Sequence, residues 1–220
     1  TLGCPRLLAG INPTDFCWRL EPGESFTTPE AVMVFSQQGL GGMSRDFHRL
    51  YMDHLCRSEW THKKRPVLIN DWEAAVFDFD DELLVAFAKE AKDLGVEMLV
   101  MDDGWFGTRN DDRQGLGDWY VNENKLKGGL GSLIQRVNDL GLKFGIWYEP
   151  EMVNPNSDLY RAHPDWIIQA QGREGSLSRY QCVLDMTRKE VRDNIFQQMY
   201  DVISKNNIAY IKWDCNRNIS

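Results

Sequence analysis

The chain reads as an α/β protein, the N-terminal half of a (β/α)8 TIM barrel preceded by the tail of a β-sandwich domain. Three observations predict the barrel. After Pro66 short apolar strands alternate with amphipathic helices, the pattern of parallel βαβ units. Acidic and aromatic residues gather just after each strand, in Asn70-Asp-Trp-Glu73, Asp102-Asp-Gly-Trp105, Trp147-Tyr-Glu-Pro-Glu151 and Lys212-Trp-Asp214, and a barrel collects such strand ends around one pit. No glycine-rich phosphate fingerprint follows the first strand, which counts against a doubly wound dinucleotide fold.

Residues 1–37 hold short β-branched or apolar pieces parted by turn formers, with Glu21-Pro-Gly-Glu24 the clearest turn, and are read as the tail of a β-domain, which the resemblance described below makes the C-terminal end of a β-sandwich. Residues 38–64 are a linking helix, on the helical spacing of Met43, Phe47, Leu50, Tyr51 and Leu55. Residues 65–220 form the half-barrel. Its first strand is expected at 67–69, followed by a helix opening at Asp80 or Asp81 with Leu83, Leu84, Phe87, Ala91 and Leu94 on one face; Asp78, Asp80 and Asp81 are its caps. A strand at 97–103 leads into a long polar loop. Ser132 with Gln135 then suggests a capping box for a helix ending at Gly141, and a third strand spans 143–147. An excursion over 148–185 is expected to hold a short helix at 158–162 and a hairpin of 166–170 against 180–184. Thr187 with Glu190 suggests a second capping box, for a helix burying Val191, Ile195, Met199 and Val202, and a last strand spans 208–214.

Composition narrows the function. A formal charge of −8 disfavours nucleic acid and anionic membrane as partners, since no basic run exceeds His62-Lys-Lys-Arg65. Five cysteines without a CxxC pair indicate neither a disulfide framework nor a zinc site, and suit a cytoplasmic protein. His48, His54, His62 and His163 lack ligand spacing, so no metal and no cofactor is expected.

In the last strand Tyr210, Lys212 and Asp214 share a face. A lysine beside an aspartate keeps the carboxylate ionised, as a nucleophile requires, although a structural ion pair would look the same. Asp102-Asp103 reads as a substrate-binding pair, a capping pair or a metal site. Trp72 and Trp147 read as sugar-stacking rings or barrel plugs, and Arg179 as a pocket group or a solvated hairpin residue. Rings mixed with carboxylates are what a sugar pocket requires, because C–H faces stack on indoles while hydroxyls need charged partners. Glu149 and Glu151, beside Pro150, read as loop-ordering groups.

These motifs, with Thr28-Pro-Glu-Ala31, Met101-Asp-Asp-Gly-Trp-Phe106, Ser178-Arg-Tyr-Gln181 and Lys212-Trp-Asp-Cys-Asn216, resemble an α-galactosidase of glycoside hydrolase family 36, of the long bacterial type, over nearly the whole chain. The resemblance implies that Asp214 is the nucleophile of a retaining, double-displacement hydrolysis of melibiose- or raffinose-type sugars. It implies that Asp102 and Asp103 hold the O4 and O6 hydroxyls of galactose, and that Trp72, Trp147, Arg179, Lys212 and Asn216 complete the subsite. It further implies a homo-oligomer, such as a tetramer, and an acid/base aspartate beyond Ser220, so the piece is expected to be inactive alone. A galactosyl transferase of the same family, a non-catalytic sugar-binding remnant and a metal-dependent phosphate enzyme are the competing readings.

Overall fold

The computed structural model describes residues 7–14, 16–170 and 172–218. Two compact units divide at Arg65 and Pro66.

In the first unit the Glu21–Glu24 turn closes through Glu24 N–H donating to Glu21 O at 3.0 Å. The short strands expected before residue 37 are not formed among the described residues. A strand needs a neighbour for its N–H and C=O groups, and this segment finds none here. Its apolar side chains stay exposed, among them Trp18, Val32 and Phe35. The helix expected as a linker is α1 (Gly39–Leu50); it starts earlier than its apolar spacing suggests and passes into a single π turn, Tyr51–Leu55, closed by Cys56 N–H on Tyr51 O at 2.7 Å.

The second unit is built on a parallel sheet of four strands: β1 (Leu68–Asn70), β2 (Met98–Met101), β3 (Lys143–Tyr148) and β6 (Tyr210–Trp213), neighbours in that order. No strand order reverses, so each crossover steps the sheet one place in the same direction, as in the first half of a barrel. β2 and most of β3 are buried, while β1 and β6 form the open edges. Register places Trp147 beside Lys212, so their side chains emerge together at the C-terminal end. At Gly145 a Cβ would lie 2.9 Å from the Tyr210 ring, which explains a glycine in a central strand.

Helix α2 (Trp72–Ala75) is one turn, ended by Val76 at φ 50°, a rare conformation for a β-branched residue. Helix α3 (Asp81–Asp93) is capped by Asp80, whose Oδ1 accepts from Leu83 N–H at 2.8 Å. Asp81 instead accepts from Gly128 N–H, and Asp78 caps nothing. The buried stripe of α3 is Leu84, Val85, Ala88 and Ala91, whereas Leu83 and Leu94 are exposed. An apolar count favours large residues and overlooks the small ones that let a helix sit close to a sheet.

Neither expected capping box forms. Helix α4 (Leu130–Asp139) begins after Gly129 at φ 78°, so Ser132 already lies inside its first turn and Gln135 donates to Asp139. Helix α6 (Lys189–Ile203) follows Arg188; the Thr187 hydroxyl turns back to Asp185, and Glu190 pairs with Arg188. Its core face is the expected Val191, Ile195, Met199 and Val202, each such side chain contributing about 1.5–3 kcal/mol.

Between β3 and α6, strands β4 (Met152–Val153) and β5 (Cys182–Val183) pair antiparallel, and helix α5 (Asp158–Ala162) is capped by Ser157. The expected hairpin shrinks to one bridge, Ile167 with Leu184, because Pro164–Trp166 takes a 3-10 turn and β5 gives an edge to β4. No described helix is long and apolar enough to cross a membrane.

Candidate active site

Asp214 follows β6 directly, its N–H bonded to Tyr148 O at 2.8 Å. Its Oδ2 accepts from the Trp147 indole at 3.0 Å and the Asn216 amide at 2.7 Å, and its Oδ1 from Cys215 N–H at 2.9 Å. Burial alone would raise this carboxyl's pKa. The three donors, helped by the charge of Lys212, outweigh burial and hold it below the usual range.

Lys212 is not the direct partner of Asp214. Residues two apart on one strand face stand about 6.5 Å apart, and Nζ reaches across the sheet to Asp102 Oδ2 at 2.8 Å. Burial opposes the ammonium, yet the Asp102 carboxylate holds the Lys212 pKa above its ordinary value. Asn70, ending β1, donates to the same Asp102 oxygen and accepts from Trp72 N–H at 2.9 Å, so it fixes both groups. Behind them Asp71 Oδ1 accepts from Asp102 N–H at 2.7 Å; its Oδ2 is buried without a hydrogen-bond partner, and burial pushes this carboxyl up to about 6.

Asp103 meets the buried Arg109 in a two-bond fork, at 2.9 and 2.7 Å. Burial raises its pKa and the guanidinium opposes that rise. Arg109 is in turn held by Asn154 and Gln114 O. Lys125 donates to the carbonyls of Phe77, Gly104 and Arg109, stapling the loop after β2; burial lowers its pKa to about 8.

Arg179 lies at the tip of a two-residue turn, with mutual Ser178–Gln181 hydrogen bonds. Arg179 and Tyr180 have φ of 50° and 60°, the signs of a type I′ turn usually made by Asn and Gly. Asn154 Nδ2 on Tyr180 O, Arg217 on Gln181 O and the Arg113 guanidinium over the Tyr180 ring hold it there.

Trp72, Asp102, Asp103, Trp147, Arg179, Lys212, Asp214 and Asn216 all line one pocket of about 260 Å³. Sequence reasoning did not select Phe77, Arg109, Asp112, Glu149 and Gln181, which line it as well. Phe77 packs edge-on against Trp72 at 5.1 Å. For Arg109 the signal was present, an arginine six residues after Asp103 in an acidic loop; Glu149 was read as a loop-ordering group only. Glu151 does order a loop, accepting from the Trp213 indole at 3.0 Å. A larger apolar groove of about 500 Å³ runs along α6 and β6, but its only charged groups are Glu151 and Arg192, so the carboxylate chemistry is not there. Among the described residues no group of three or more His, Cys, Asp or Glu could hold a metal ion.

A half-barrel with this pocket at its strand ends defines the class. Residues 25–220 match the Melibiase family model, and the chain belongs to that family. It is 54% identical, over 98% of its length, to the bifunctional alpha-galactosidase/sucrose kinase AgaSK of Mediterraneibacter gnavus, covering 23% of that protein. The crystal structure of the GH36 alpha-galactosidase AgaA of Geobacillus stearothermophilus superposes with a TM-score of 0.92 at 54% identity, over 96% of this chain and 29% of that one. A variant of AgaA in complex with raffinose superposes at 0.93, with 53% identity over 96% of this chain and 29% of that one. The chain thus spans 23–29% of the length of these relatives.

Proposed function

We propose that the chain is the nucleophile-bearing half of the catalytic barrel of a retaining α-galactosidase. The observation that carries this reading is Asp214, an ionised carboxylate at a strand end, held by neutral N–H donors inside a pocket of indoles and acidic groups. Oδ2 already accepts two hydrogen bonds and Oδ1 one, so Oδ1 keeps a lone pair for attack. Oδ1 bonds to the anomeric carbon while the glycosidic C–O bond breaks and its electrons leave with the departing oxygen. A second carboxyl group, outside this chain and standing about 5–5.5 Å from the Asp214 carboxyl, protonates that oxygen and then draws the proton from the water that releases the sugar. Asp102 and Asp103 accept from galactose hydroxyls, with lone pairs already partly occupied by Lys212 and Arg109. Trp72 and Trp147 bound the ring, and Arg179 and Lys212 donate to it. A pocket smaller than the roughly 300–1,000 Å³ of typical ligand sites suits one terminal sugar.

The AgaA complexes with raffinose and stachyose support galactose-terminated oligosaccharides as substrates. The sandwich assignment of residues 1–37, a tetrameric assembly and a cytoplasmic location rest on the sequence resemblance and, for the last, on the free thiols of Cys17, Cys56, Cys182 and Cys215. The test is to incubate the complete protein with a fluorinated galactoside that deglycosylates slowly, then map the modified peptide. The expected adduct is on Asp214. An adduct elsewhere, or full turnover by Asp214→Asn, overturns the assignment.

A further inference from the structure

Glu149, the residue after β3, is fully buried at the pocket, and the mechanism above gives it no role. Its Oε1 accepts from the backbone N–H of Asn216, and its Oε2 from Gln181 Nε2 at 3.1 Å. No ion pair among the described residues includes it, and burial raises its pKa. Asn216 is the residue whose amide holds Asp214, and Gln181 closes the strained turn that carries Arg179. One carboxylate therefore joins the nucleophile's loop to the arginine's turn, across the pocket.

We propose that Glu149 is a positioning residue that fixes the Asp214 loop and the Arg179 turn relative to each other, so that the line of attack and the seat of the sugar are set together. The inference rests on the α-galactosidase reading. A second observation supports it: Gln181 Oε1 is buried with no hydrogen-bond partner, so the amide is turned to offer its N–H₂ to Glu149 at the expense of its own oxygen. Both Glu149 oxygens act as acceptors, which is the arrangement of a strut and not of a group that hands over a proton. The geometry also specifies how a neutral isostere can replace it. In Glu149→Gln the new amide oxygen accepts from Asn216 N–H, and its N–H₂ meets Gln181 after that amide flips, which gives the orphaned Gln181 oxygen a donor.

The test measures kcat and KM of the complete protein on p-nitrophenyl α-galactoside. Glu149→Ala is expected to lower kcat/KM about 100-fold with a raised KM, and Glu149→Gln to stay within about threefold of wild type. Gln181→Ala should raise KM about fivefold, and it decides together with Glu149→Gln if the alanine variant at 149 does not fold. Loss of kcat alone at unchanged KM reports only a smaller active fraction and overturns the proposal. So does a glutamine variant as impaired as the alanine one, or an unchanged KM in Gln181→Ala. Wild-type protein that releases no galactose overturns the α-galactosidase reading itself and takes this inference with it.

Discussion

At the end of β2, Asp102 and Asp103 each face a cation, Lys212 and Arg109; at the end of β6, Asp214 faces three neutral N–H donors. All three carboxylates line one pocket, yet their charges are committed differently. An ion-paired carboxylate is a fixed acceptor, with its field already largely cancelled and its oxygens held in place. A carboxylate held by neutral donors keeps its full charge for an incoming electrophile, while the donors still stop it from protonating. On the function proposed above, the difference separates a group that holds the substrate from a group that reacts with it.

The comparison is broken most severely by Asp214→Asn, which should lower kcat on the order of 10⁴-fold while galactose still raises the melting temperature. Loss of that thermal protection would mean Asp214 holds the sugar instead. Asp103→Ala strands a buried guanidinium and should destabilise the fold by about 3–5 kcal/mol in a denaturant titration; a change below ~1 kcal/mol would mean the pair is solvated. Asp102→Asn removes the partner of Lys212 and should raise KM about 10–100-fold with a smaller change in kcat, measured by steady-state kinetics. The finest cut is Trp147→Phe, which keeps a ring and deletes one donor to Asp214. A carboxyl with a depressed pKa rises toward its ordinary value when a donor is lost. The acid limb of kcat/KM should therefore move to higher pH; an unmoved limb would mean that Asp214 does not set it.

The sequence made Trp72, Asp102, Asp103, Trp147, Lys212 and Asp214 legible because a parallel strand ends in one place and its last side chains must point into the pit, whereas Arg179, on a turn, and Asn216 rested on the family resemblance. The α6 face was legible for a similar reason, since large apolar residues repeat at helical spacing. Partners that depend on distance were not. Lys212 reads as the neighbour of Asp214 along the strand, while its bond runs across the sheet to Asp102, 110 residues away in sequence. Ser132-Gln135 and Thr187-Glu190 match a capping pattern that says nothing of where a helix starts, and Gly129 and Arg188 set those starts. Glu149 beside Pro150 carries no local sign that Asn216 and Gln181 will converge on it.

The indole bond to Asp214 has a spectroscopic consequence. Trp147 lies 6.1 Å from the Trp119 ring, and Trp119 lies 6.3 Å from Trp105, whose indole donates to Trp147 O. Excitation absorbed by any of the three is shared at such separations, and one of them ends on the Asp214 carboxylate. Protonating Asp214, or esterifying it with a sugar, changes the hydrogen bond of that ring and so the colour of the emission. With Asp214 as the proposed nucleophile, these rings form an unlabelled optical gauge of its state, readable on the timescale of a stopped-flow mixing experiment.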